Sequence, residues 1–398
     1  MNDDNSNPPV QHITDTDALA DLCTRLADEP FVAVDTEFMR DRTYYPKLCL
    51  VQIAGEHDVA IIDPLADGID LAPLHALMAD PHVTKVFHAA RQDLEIFYRA
   101  MGTVPRPLLD SQLAAMVCGY GEEVGYETLV SRLARARIDK SSRFTDWSHR
   151  PLSEAQLHYA AGDVTHLRVI YKKLCKRLER TGRSAWVDEE LATLLSPDTY
   201  DQPIDAAWKR LKVRSRDPRF LAIVRELAAW RETEAQRKDV PRNRIVRDDL
   251  IMEIAANKPV SVEALGRLKR VSVDKASAQA IIAAIQRALD LPDEHLPPIR
   301  VGTPPPKGIG PLMELLRVLL KLRCEDHDVA QRLVATTADL EALAQDDAAD
   351  VAALHGWRYE VFGQAALDLK HGRLGLVVED GQVCVRAVDS VASRADEA

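Results

Sequence analysis

Two carboxylates interrupt an apolar segment near the N-terminus that is otherwise typical of a buried strand. In FVAVDTEFMR, residues 31–40, Asp35 and Glu37 stand two positions apart, and residues two apart on a strand share one face. Ionised carboxylates are seldom buried unless they are paired or bind a metal. A hard divalent cation such as Mg²⁺, which prefers carboxylate oxygen, would remove their mutual repulsion. The alternative is an edge strand whose acidic face is solvated.

Two later segments carry groups suited to the same chemistry. In KVFHAARQDLEIFYRAMG a strand is predicted to run into a helix, and Asp93 falls near the helix N-terminus, where the helix dipole favours a carboxylate. In PLSEAQLHYAAGDVTHLRVIYKKL, Ser153 and Gln156 form a capping-box pattern that predicts a helix start. Tyr159 and Asp163 follow four residues apart, so they are neighbours on that helix. Taken singly, these residues have simpler interpretations, a helix-start acid and a Tyr–Asp contact at a helix edge.

The segments that position these groups predict an α/β domain followed by helical regions. FVAVDTEFM, LCLVQIAG, HDVAIIDP and TKVFHAA are short β-rich runs, and the first three follow one another closely enough for an antiparallel meander. Beyond SPDTYDQP the pattern is almost purely helical, with a second break in LPDEHLPPIRVGTPPPKGIGP. The predicted division is a disordered tail at 1–10, an α/β domain at 11–185, a linker at 186–204, a helical domain at 205–291, a proline-rich linker at 292–311, a second helical domain at 312–380 and a tail at 381–398.

The two helical regions show a weak internal repeat. RIVRDDLIMEIA…VEALGRL and RLVATTADLEALA…VAALHGW align at a period of roughly 90 residues, within the usual size range of a domain. Two copies of one small helical domain would explain the alignment. Chance similarity between leucine- and alanine-rich helices is the alternative.

Composition argues against several classes of protein. The 398 residues are 46% hydrophobic, yet no apolar run reaches the roughly 18 residues of a membrane span. The N-terminus MNDDNSNPPV is polar and acidic, unlike a signal peptide. The six cysteines are far apart and form no C-x-x-C pair, which argues against a zinc site or a disulfide framework. We therefore expect a cytoplasmic protein with no membrane partner.

Charge is distributed unevenly along the chain. The formal net charge is −11, so the chain as a whole does not attract nucleic acid. Residues 205–250, however, hold thirteen Lys and Arg against eight Asp and Glu. Such a basic stretch predicts a local surface for a nucleic-acid backbone, with solvated helix faces as the alternative. The second helical domain is not basic, and we interpret it as a spacer that helps to enclose the substrate.

The ordered set of acids resembles the active-site motifs of a known family. D-x-E on a strand, a later Asp that opens a helix, and Y-x-x-x-D on a helix are similar to the DEDDy 3′–5′ exonucleases. The stretches VDTEFMRDRTYYPKLCLVQIA, FHAARQDLEIF and YAAGDVTHL resemble the ribonuclease D family in particular. The helical tail resembles the helicase-and-RNase-D C-terminal (HRDC) domain, twice, and the whole resemblance covers about residues 11–380.

This resemblance implies a fold and a reaction. The fold is RNase H-like, a mixed five-stranded sheet with three antiparallel and two parallel strands flanked by helices, followed by two small all-α HRDC-like domains. The reaction is hydrolysis of phosphodiester bonds from RNA 3′ ends with release of 5′-mononucleotides, and the expected partners are tRNA precursors and other structured small RNAs. The alternatives are the same chemistry on DNA and an RNA-binding protein with a weak site. No G-x-x-x-x-G-K-[ST] loop accompanies the motifs.

The resemblance also assigns roles to the acids and the tyrosine. Two divalent ions, Mg²⁺ or Mn²⁺, would be held by four carboxylates, those of Asp35, Glu37, Asp93 and Asp163. Tyr159 would hydrogen-bond the attacking water and orient it. With an ordinary phenol pKa of about 10, it is a poor base at neutral pH.

Residues that follow the D-x-E motif could hold the end of the substrate. Phe38 and Met39 would pack on the terminal base or ribose. Basic and aromatic side chains in the next segment would supply phosphate and stacking contacts, or else form an ordinary solvated hairpin; they are Arg40, Arg42, Tyr44, Tyr45 and Lys47. The basic stretch would bind the RNA body, beginning with Lys209, Arg210 and Arg214. His88 is interpreted as a structural residue and not as a metal ligand. We expect the protein to be a monomer.

Overall fold

The structure, a computed structural model, describes residues 8–139, 142–143, 145–201, 203–268, 273–298 and 308–388. Most of the expected tail at 1–10, the centre of the expected proline-rich linker and the end of the expected tail at 381–398 therefore lie outside the described residues. Within the described ranges, no helix is both long and apolar enough to cross a membrane.

A six-stranded mixed sheet forms the centre of the N-terminal α/β domain. Its strands are β1 (Val10–Ile13), β2 (Phe31–Met39), β3 (Lys47–Ala54), β4 (Val59–Ile62), β5 (Thr84–Phe87) and β6 (Leu108–Asp110), in the spatial order β1-β4-β3-β2-β5-β6. The predicted antiparallel meander of β2, β3 and β4 is confirmed. β5 runs parallel to β2, and β6 runs parallel to β5.

The sheet has one strand more than the five that we expected. β1 pairs in parallel with β4, from Val10 opposite Val59 to Ile13 opposite Ile62, and begins inside the segment expected to be a tail. Ile13 is the buried residue of this strand, whereas Val10 is 46% exposed. A four-residue edge strand with a single buried side chain has too little hydrophobic periodicity to be recognised in the sequence.

Helices cover both faces of the sheet. They are α1 (Thr16–Ala27), α2 (Ala72–Ala79), α3 (Arg91–Met101), α4 (Ser111–Val117), α5 (Tyr126–Leu129), a π-helical turn at Val130–Ala134 and α6 (Glu154–Thr181). Val32 and Val34 of β2 belong to the core that contains α1, α2 and α4, whereas Phe31 and Ala33 pack with α6. Alternate residues of β2 thus face opposite helical layers.

The long helix α6 starts where the capping box predicts. Ser153 Oγ accepts a hydrogen bond from Gln156 N at 3.2 Å, and Gln156 Oε1 accepts one from Ser153 N at 3.0 Å. Ala160 and Val164, four residues apart, are fully buried against the sheet and belong to an apolar stripe along α6. The cap and the stripe together fix which residues of α6 face the sheet.

The segment at 186–204 is more structured than the linker that we expected. Helix α7 (Ser184–Leu195) occupies its first half, and a 3₁₀ turn follows at Pro197–Thr199. Val187 and Leu191 lie one helical turn apart and are buried in the core of the α/β domain. That pair is the apolar signal for a helix in this segment.

The first helical region has a core of its own. It contains a 3₁₀ helix at Ile204–Arg210, α8 (Pro218–Lys238), α9 (Arg242–Ile245), α10 (Asp248–Asn257), α11 (Val262–Gly266), α12 (Lys275–Asp290) and a 3₁₀ turn at Asp293–His295. Ile223, Val224 and Leu227 of α8 are buried in one cluster with Ile281 and Ile285 of α12. The helical pattern expected beyond SPDTYDQP is confirmed for this region.

The second helical region joins the core of the α/β domain. It contains α13 (Ile309–Asp326), α14 (Gln331–Val334), α15 (Thr337–Gln345), a 3₁₀ turn at Ala352–Leu354, α16 (Gly356–Arg358), a π-helical turn at Tyr359–Gly363 and α17 (Gln364–Lys370). Trp357 stacks on Trp186 of α7 with ring centroids 4.3 Å apart, and Arg358 pairs with Glu189 and Glu190. Buried side chains of the region and the domain form one apolar cluster. The region is therefore packed against the α/β domain.

The end of the chain differs from the all-helical expectation. β7 (Leu374–Glu379) and β8 (Gln382–Ala387) form an antiparallel hairpin across the boundary expected at residue 380. Asp380 and Gly381 make the turn, with φ of 51° and 80°, as the favoured two-residue Asp-Gly loop does. The sequence contains this turn signal, which a purely helical interpretation of the region overlooks.

Candidate active site

β2 brings Asp35 and Glu37 to the face of the sheet that α6 covers. The strand lies inside the sheet, with β3 on one side and β5 on the other, so the alternative of a solvated edge strand is wrong. The pairing with β3 shifts register between Glu37 and Phe38. Such an irregularity bends a strand and changes the direction of its side chains.

Helix α6 supplies the third acid. Carboxylate oxygens of Asp35, Glu37 and Asp163 lie within 4.8 Å of one another. Three oxygens at this spacing can bind one divalent cation, since hard cations take carboxylate ligands. The predicted convergence of the D-x-E strand and the Y-x-x-x-D helix is therefore present in the structure.

Asp93 approaches the same place from the first turn of α3 and is only 6% exposed. Its carboxylate accepts a hydrogen bond from Thr36 Oγ1, the residue between Asp35 and Glu37. The three mutually close carboxylates do not include Asp93, but its charge raises the pKa of both Asp35 and Glu37. All four predicted acids thus belong to one electrostatic cluster.

Burial and mutual repulsion favour the protonated forms of these acids. Burial is the main cause that raises the pKa of Glu37 to about 8 and those of Asp93 and Asp163 to about 7. Burial, followed by the charges of the other three acids, raises the pKa of Asp35 well above its ordinary value. The Arg143 guanidinium lowers the pKa of Glu37 and Asp163. A bound cation would stabilise the charged form of such a cluster.

We expect Mg²⁺ to raise the melting temperature of the protein, and to raise it more at pH 8 than at pH 6. An acid whose folded-state pKa is raised destabilises the fold above that pKa, and this penalty is lost as the pH falls toward the unfolded value of about 4. With folded pKa values of about 7 for Asp163 and about 8 for Glu37, protons compete with the ion at pH 6. At 100 times its dissociation constant, the ion would stabilise the fold by about 2.7 kcal/mol.

Thermal melts with Mg²⁺ or EDTA at both pH values measure this effect. In EDTA alone, the acids should lower the melting temperature less at pH 6 than at pH 8, because part of their penalty is lost at the lower pH. Equal Mg²⁺ shifts at the two pH values, or no shift at either, would contradict a cation site at these acids.

Tyr159 lies beside the acids on the same face of α6. Its hydroxyl donates a hydrogen bond to the Asp163 carboxylate, and its ring centroid is 6.0 Å from that of Trp147. Burial, then the charges of Asp163 and Glu37, raise the pKa of Tyr159 above its ordinary value. The phenol therefore keeps its proton at neutral pH and is suited to positioning a water rather than to removing its proton.

A cavity of about 300 Å³ opens at these residues. Asp35, Tyr159 and Asp163 line it together with His88 and Tyr126. Sequence reasoning missed Tyr126, whose hydroxyl donates to the main-chain oxygen of Asp163 at 2.6 Å. This bond holds the turn of α6 that carries the acid. Tyr126 precedes Asp163 by 37 positions, so no local spacing could have indicated it.

His88 has the structural contacts that we expected, but it also lines the cavity. Its Nδ1 lies 2.9 Å from Ser111 Oγ. The next residue, Ala89, has a φ of 56°, and Asp110 accepts hydrogen bonds from the main-chain nitrogens of Ala89 and Ala90 at 3.0 and 2.9 Å. Left-handed backbone at a non-glycine residue is strained and often lies near a functional site.

The hairpin that follows β2 docks on the first helical region. Tyr44 donates its hydroxyl hydrogen to Glu232, and Asp239 Oδ1 accepts from the main-chain nitrogens of Tyr44 and Tyr45 at 3.0 and 3.1 Å. Glu232 is 2% exposed. Burial alone would raise its pKa, but hydrogen bonds from Arg242 and Tyr44 lower the pKa of Glu232 to about 2. An ordinary solvated hairpin is therefore the wrong description of Tyr44 and Tyr45.

The residues expected at the substrate fall into two groups. Arg40, Tyr44, Tyr45 and Arg210 line a common cavity between the α/β domain and the first helical region. The others lie elsewhere: Phe38 and Met39 are half-buried at the end of β2, and the exposed members are Arg42, Lys47, Lys209 and Arg214.

Comparison with known proteins gives matches for both parts of the chain. Residues 10–179 match the 3′–5′ exonuclease family, and residues 220–285 match the HRDC domain family. Ribonuclease D of Gluconacetobacter diazotrophicus is 50% identical over 374 residues, which cover 93% of this chain and 95% of that protein. Ribonuclease D of Acidiphilium cryptum is 51% identical over 381 residues, which cover 95% and 97%.

A solved structure agrees over almost the whole chain. The crystal structure of Escherichia coli RNase D, described as an exoribonuclease involved in structured RNA processing, matches with a TM-score of 0.78 at 31% identity. The match covers 92% of this chain and 99% of that one.

Proposed function

Because this chain belongs to the ribonuclease D family of 3′–5′ exoribonucleases, we propose that it trims the 3′ ends of structured RNA precursors, above all tRNA precursors, and that it acts as a monomer. The observation that carries the proposal is the convergence of the Asp35, Glu37 and Asp163 carboxylates within 4.8 Å. The Escherichia coli relative is described as acting in structured RNA processing, which supports this choice of substrate.

The residues of the site fit divalent metal ions. Three half-buried carboxylates with few compensating cations form the donor set that Mg²⁺ or Mn²⁺ prefers. We propose that two such ions are held by Asp35, Glu37, Asp93 and Asp163. Bound there, they would supply an activated water and neutralise charge on the leaving 3′ oxygen.

Side chains of the protein itself orient the reactants. Tyr159 holds the attacking water through its hydroxyl, which the Asp163 carboxylate in turn orients. Tyr126 keeps this part of α6 in place through the main chain of Asp163. Phe38 and Met39, half-buried at the end of β2, pack on the terminal base or ribose. The exposed basic side chains of residues 205–250 hold the body of the RNA.

We also propose that the second helical region is a divergent HRDC-type domain, and that the chain divides near the expected boundaries with α7 added to the nuclease. The order of elements supports this. In the first region, the four-residue helix α9 ends at Ile245 and α10 begins at Asp248. In the second, the four-residue helix α14 ends at Val334 and α15 begins at Thr337. Each pair follows one long helix, α8 or α13.

The function is tested by incubating the purified full chain with a tRNA precursor extended at its 3′ end and labelled at its 5′ end. With Mg²⁺ or Mn²⁺ we expect stepwise shortening from the 3′ end and release of 5′-mononucleotides, and with EDTA we expect none. A single-stranded DNA of the same sequence as the extension is the parallel substrate. Degradation of the DNA without trimming of the precursor would reject the proposed substrate.

A further inference from the structure

A second cavity, of about 510 Å³, lies between the nuclease domain and the first helical region. Five arginines from both parts line it: Arg40, Arg91, Arg99, Arg210 and Arg242. We call it the arginine cavity. Guanidinium groups form planar, bidentate hydrogen bonds with phosphate, and arginine is used widely for that purpose. The cavity is thus lined by side chains suited to a nucleic-acid backbone.

Two of these arginines pair with exposed or half-buried acids in the cavity wall. Arg40 contacts Glu95 at 2.9 Å, and Arg99 contacts Asp201 at 2.8 Å. The Arg40 side chain is 41% exposed and that of Asp201 is 53% exposed. Ion pairs with such exposure contribute little to stability, so Arg40 can turn to a phosphate at small cost. Arg99 is held more firmly, because it also donates to the main-chain oxygen of Tyr200.

Two of the other three arginines share a single acid. Arg210 and Arg242 contact Glu232 at 2.9 and 2.5 Å. Arg91 is exposed and forms no ion pair among the residues that the structure describes. Five guanidinium groups therefore meet three carboxylates at this place, and an anion that enters finds uncompensated positive charge.

The arginine cavity is close to the catalytic acids in sequence but faces away from them. Arg91 precedes Asp93 by two residues on α3, and at about 100° per residue their side chains point to different sides of the helix. Arg40 follows Glu37 by three residues, just beyond the end of β2. An RNA strand whose 3′ end lies at the acids would have to pass the end of β2 before a phosphate nearer its 5′ end could reach the arginine cavity.

We propose that the arginine cavity binds a backbone phosphate of the RNA upstream of the nucleotides that lie at the catalytic acids. The proposal rests on the proposed function, because it assigns a location to the RNA that the enzyme trims. It implies that RNAs long enough to reach the cavity bind more tightly than a trinucleotide, and that Arg91 contributes to that difference. A free 5′-mononucleotide offers the same phosphate chemistry and is the other source of a ligand.

Arg91→Gln is the variant that tests the proposal, made in full-length protein that also carries Asp163→Asn so that the RNA is not degraded. Fluorescence anisotropy gives the affinity for a trinucleotide and for a single-stranded RNA of about 16 nucleotides, the upper end of a single-strand site. For the long RNA, we expect weaker binding and a slope of log affinity against log salt that is flatter by about 0.7, the value for one phosphate contact on a single strand. For the trinucleotide, we expect equal affinity.

Two further variants control for charge and folding. Arg91→Lys keeps the positive charge and should restore the salt slope. Arg317→Gln removes the same charge from the exposed surface of α13, where the arginine pairs with Glu314 at 2.7 Å, and should change neither slope nor affinity. Arg91 is exposed on α3, so the melting temperatures should agree.

Equal salt slopes for Arg91→Gln and its parent on the long RNA would overturn the proposal. A loss confined to binding of 5′-AMP would overturn it too, since the cavity would then hold a mononucleotide and not the RNA backbone. Failure of the proposed function is a different result: the enzyme with an intact site would not trim the tRNA precursor, whatever the effect of Arg91→Gln on binding.

Discussion

Asp163→Asn is expected to abolish hydrolysis while the protein remains folded. The substitution removes one of three carboxylates whose oxygens lie within 4.8 Å of one another and hardly changes the shape of the side chain. We expect the single-turnover rate on a short RNA to fall by more than roughly 10³-fold, beyond the loss caused by removing one hydrogen-bond donor to a transition-state charge. Asp35→Asn and Asp93→Asn should have the same effect.

The same substitution should not destabilise the protein in EDTA. Burial raises the pKa of Asp163 to about 7, and the charge of Asp163 raises that of Glu37. At pH 8 the amide removes an unfavourable charge, so the melting temperature should hold or rise, and the shift caused by Mg²⁺ should shrink. Asp21→Asn, on the exposed surface of α1, is the matched control. It should keep the wild-type turnover rate and the wild-type Mg²⁺-induced shift in melting temperature. Near-wild-type turnover by Asp163→Asn would refute the assignment of the acids.

Tyr159→Phe should slow the chemical step by roughly 10²-fold, the range of positioned catalytic groups, without weakening the binding of metal or RNA. The ring keeps its place near Trp147, and only the hydroxyl that donates to Asp163 is lost. Because the pKa of Tyr159 is raised, the wild-type rate should show no titration of this phenol at neutral pH. Single-turnover rates and the Mg²⁺-dependent melting shift measure the two effects separately.

Tyr171→Phe provides the comparison for this variant. Tyr171 lies on the same helix, is half-buried, and packs on Phe31 with ring centroids 4.4 Å apart. Removal of the Tyr171 hydroxyl should leave the single-turnover rate unchanged. If Tyr159→Phe also left the rate unchanged, Tyr159 would be a packing residue. If it abolished the melting shift, Tyr159 would act through the ion and not through the water.

The parts of the site that follow local periodicity could be predicted from the sequence. Asp35 and Glu37 share a face because strands repeat every two residues, and Tyr159 and Asp163 are neighbours because helices place residues four apart together. The capping box at Ser153 gives the register of α6. Each of these signals lies within a few residues, where the geometry of the backbone determines which side chains meet.

Contacts between distant segments could not be predicted in this way. Tyr126 reaches the main chain of Asp163 from a short helix that belongs to no motif. Edge strand β1 has one buried residue, and α7 has two, Val187 and Leu191, so neither carries a strong periodic pattern. The turn residues Asp380 and Gly381 indicate the final hairpin in the sequence itself. The helical composition of the surrounding region favoured the wrong prediction there.

The bond between Tyr44 and Glu232 also constrains how the protein can evolve. It joins positions 188 apart in two regions that could otherwise accumulate changes independently. Loss of Tyr44 removes one hydrogen bond from Glu232, which Arg210 and Arg242 still contact. Loss of Glu232 leaves the Tyr44 hydroxyl and both arginines without their shared acid, which costs about 1–3 kcal/mol. Positions 44 and 232 are therefore expected to covary among relatives, and a chimera that takes its nuclease from one parent and its HRDC domain from another would need both residues from the same parent.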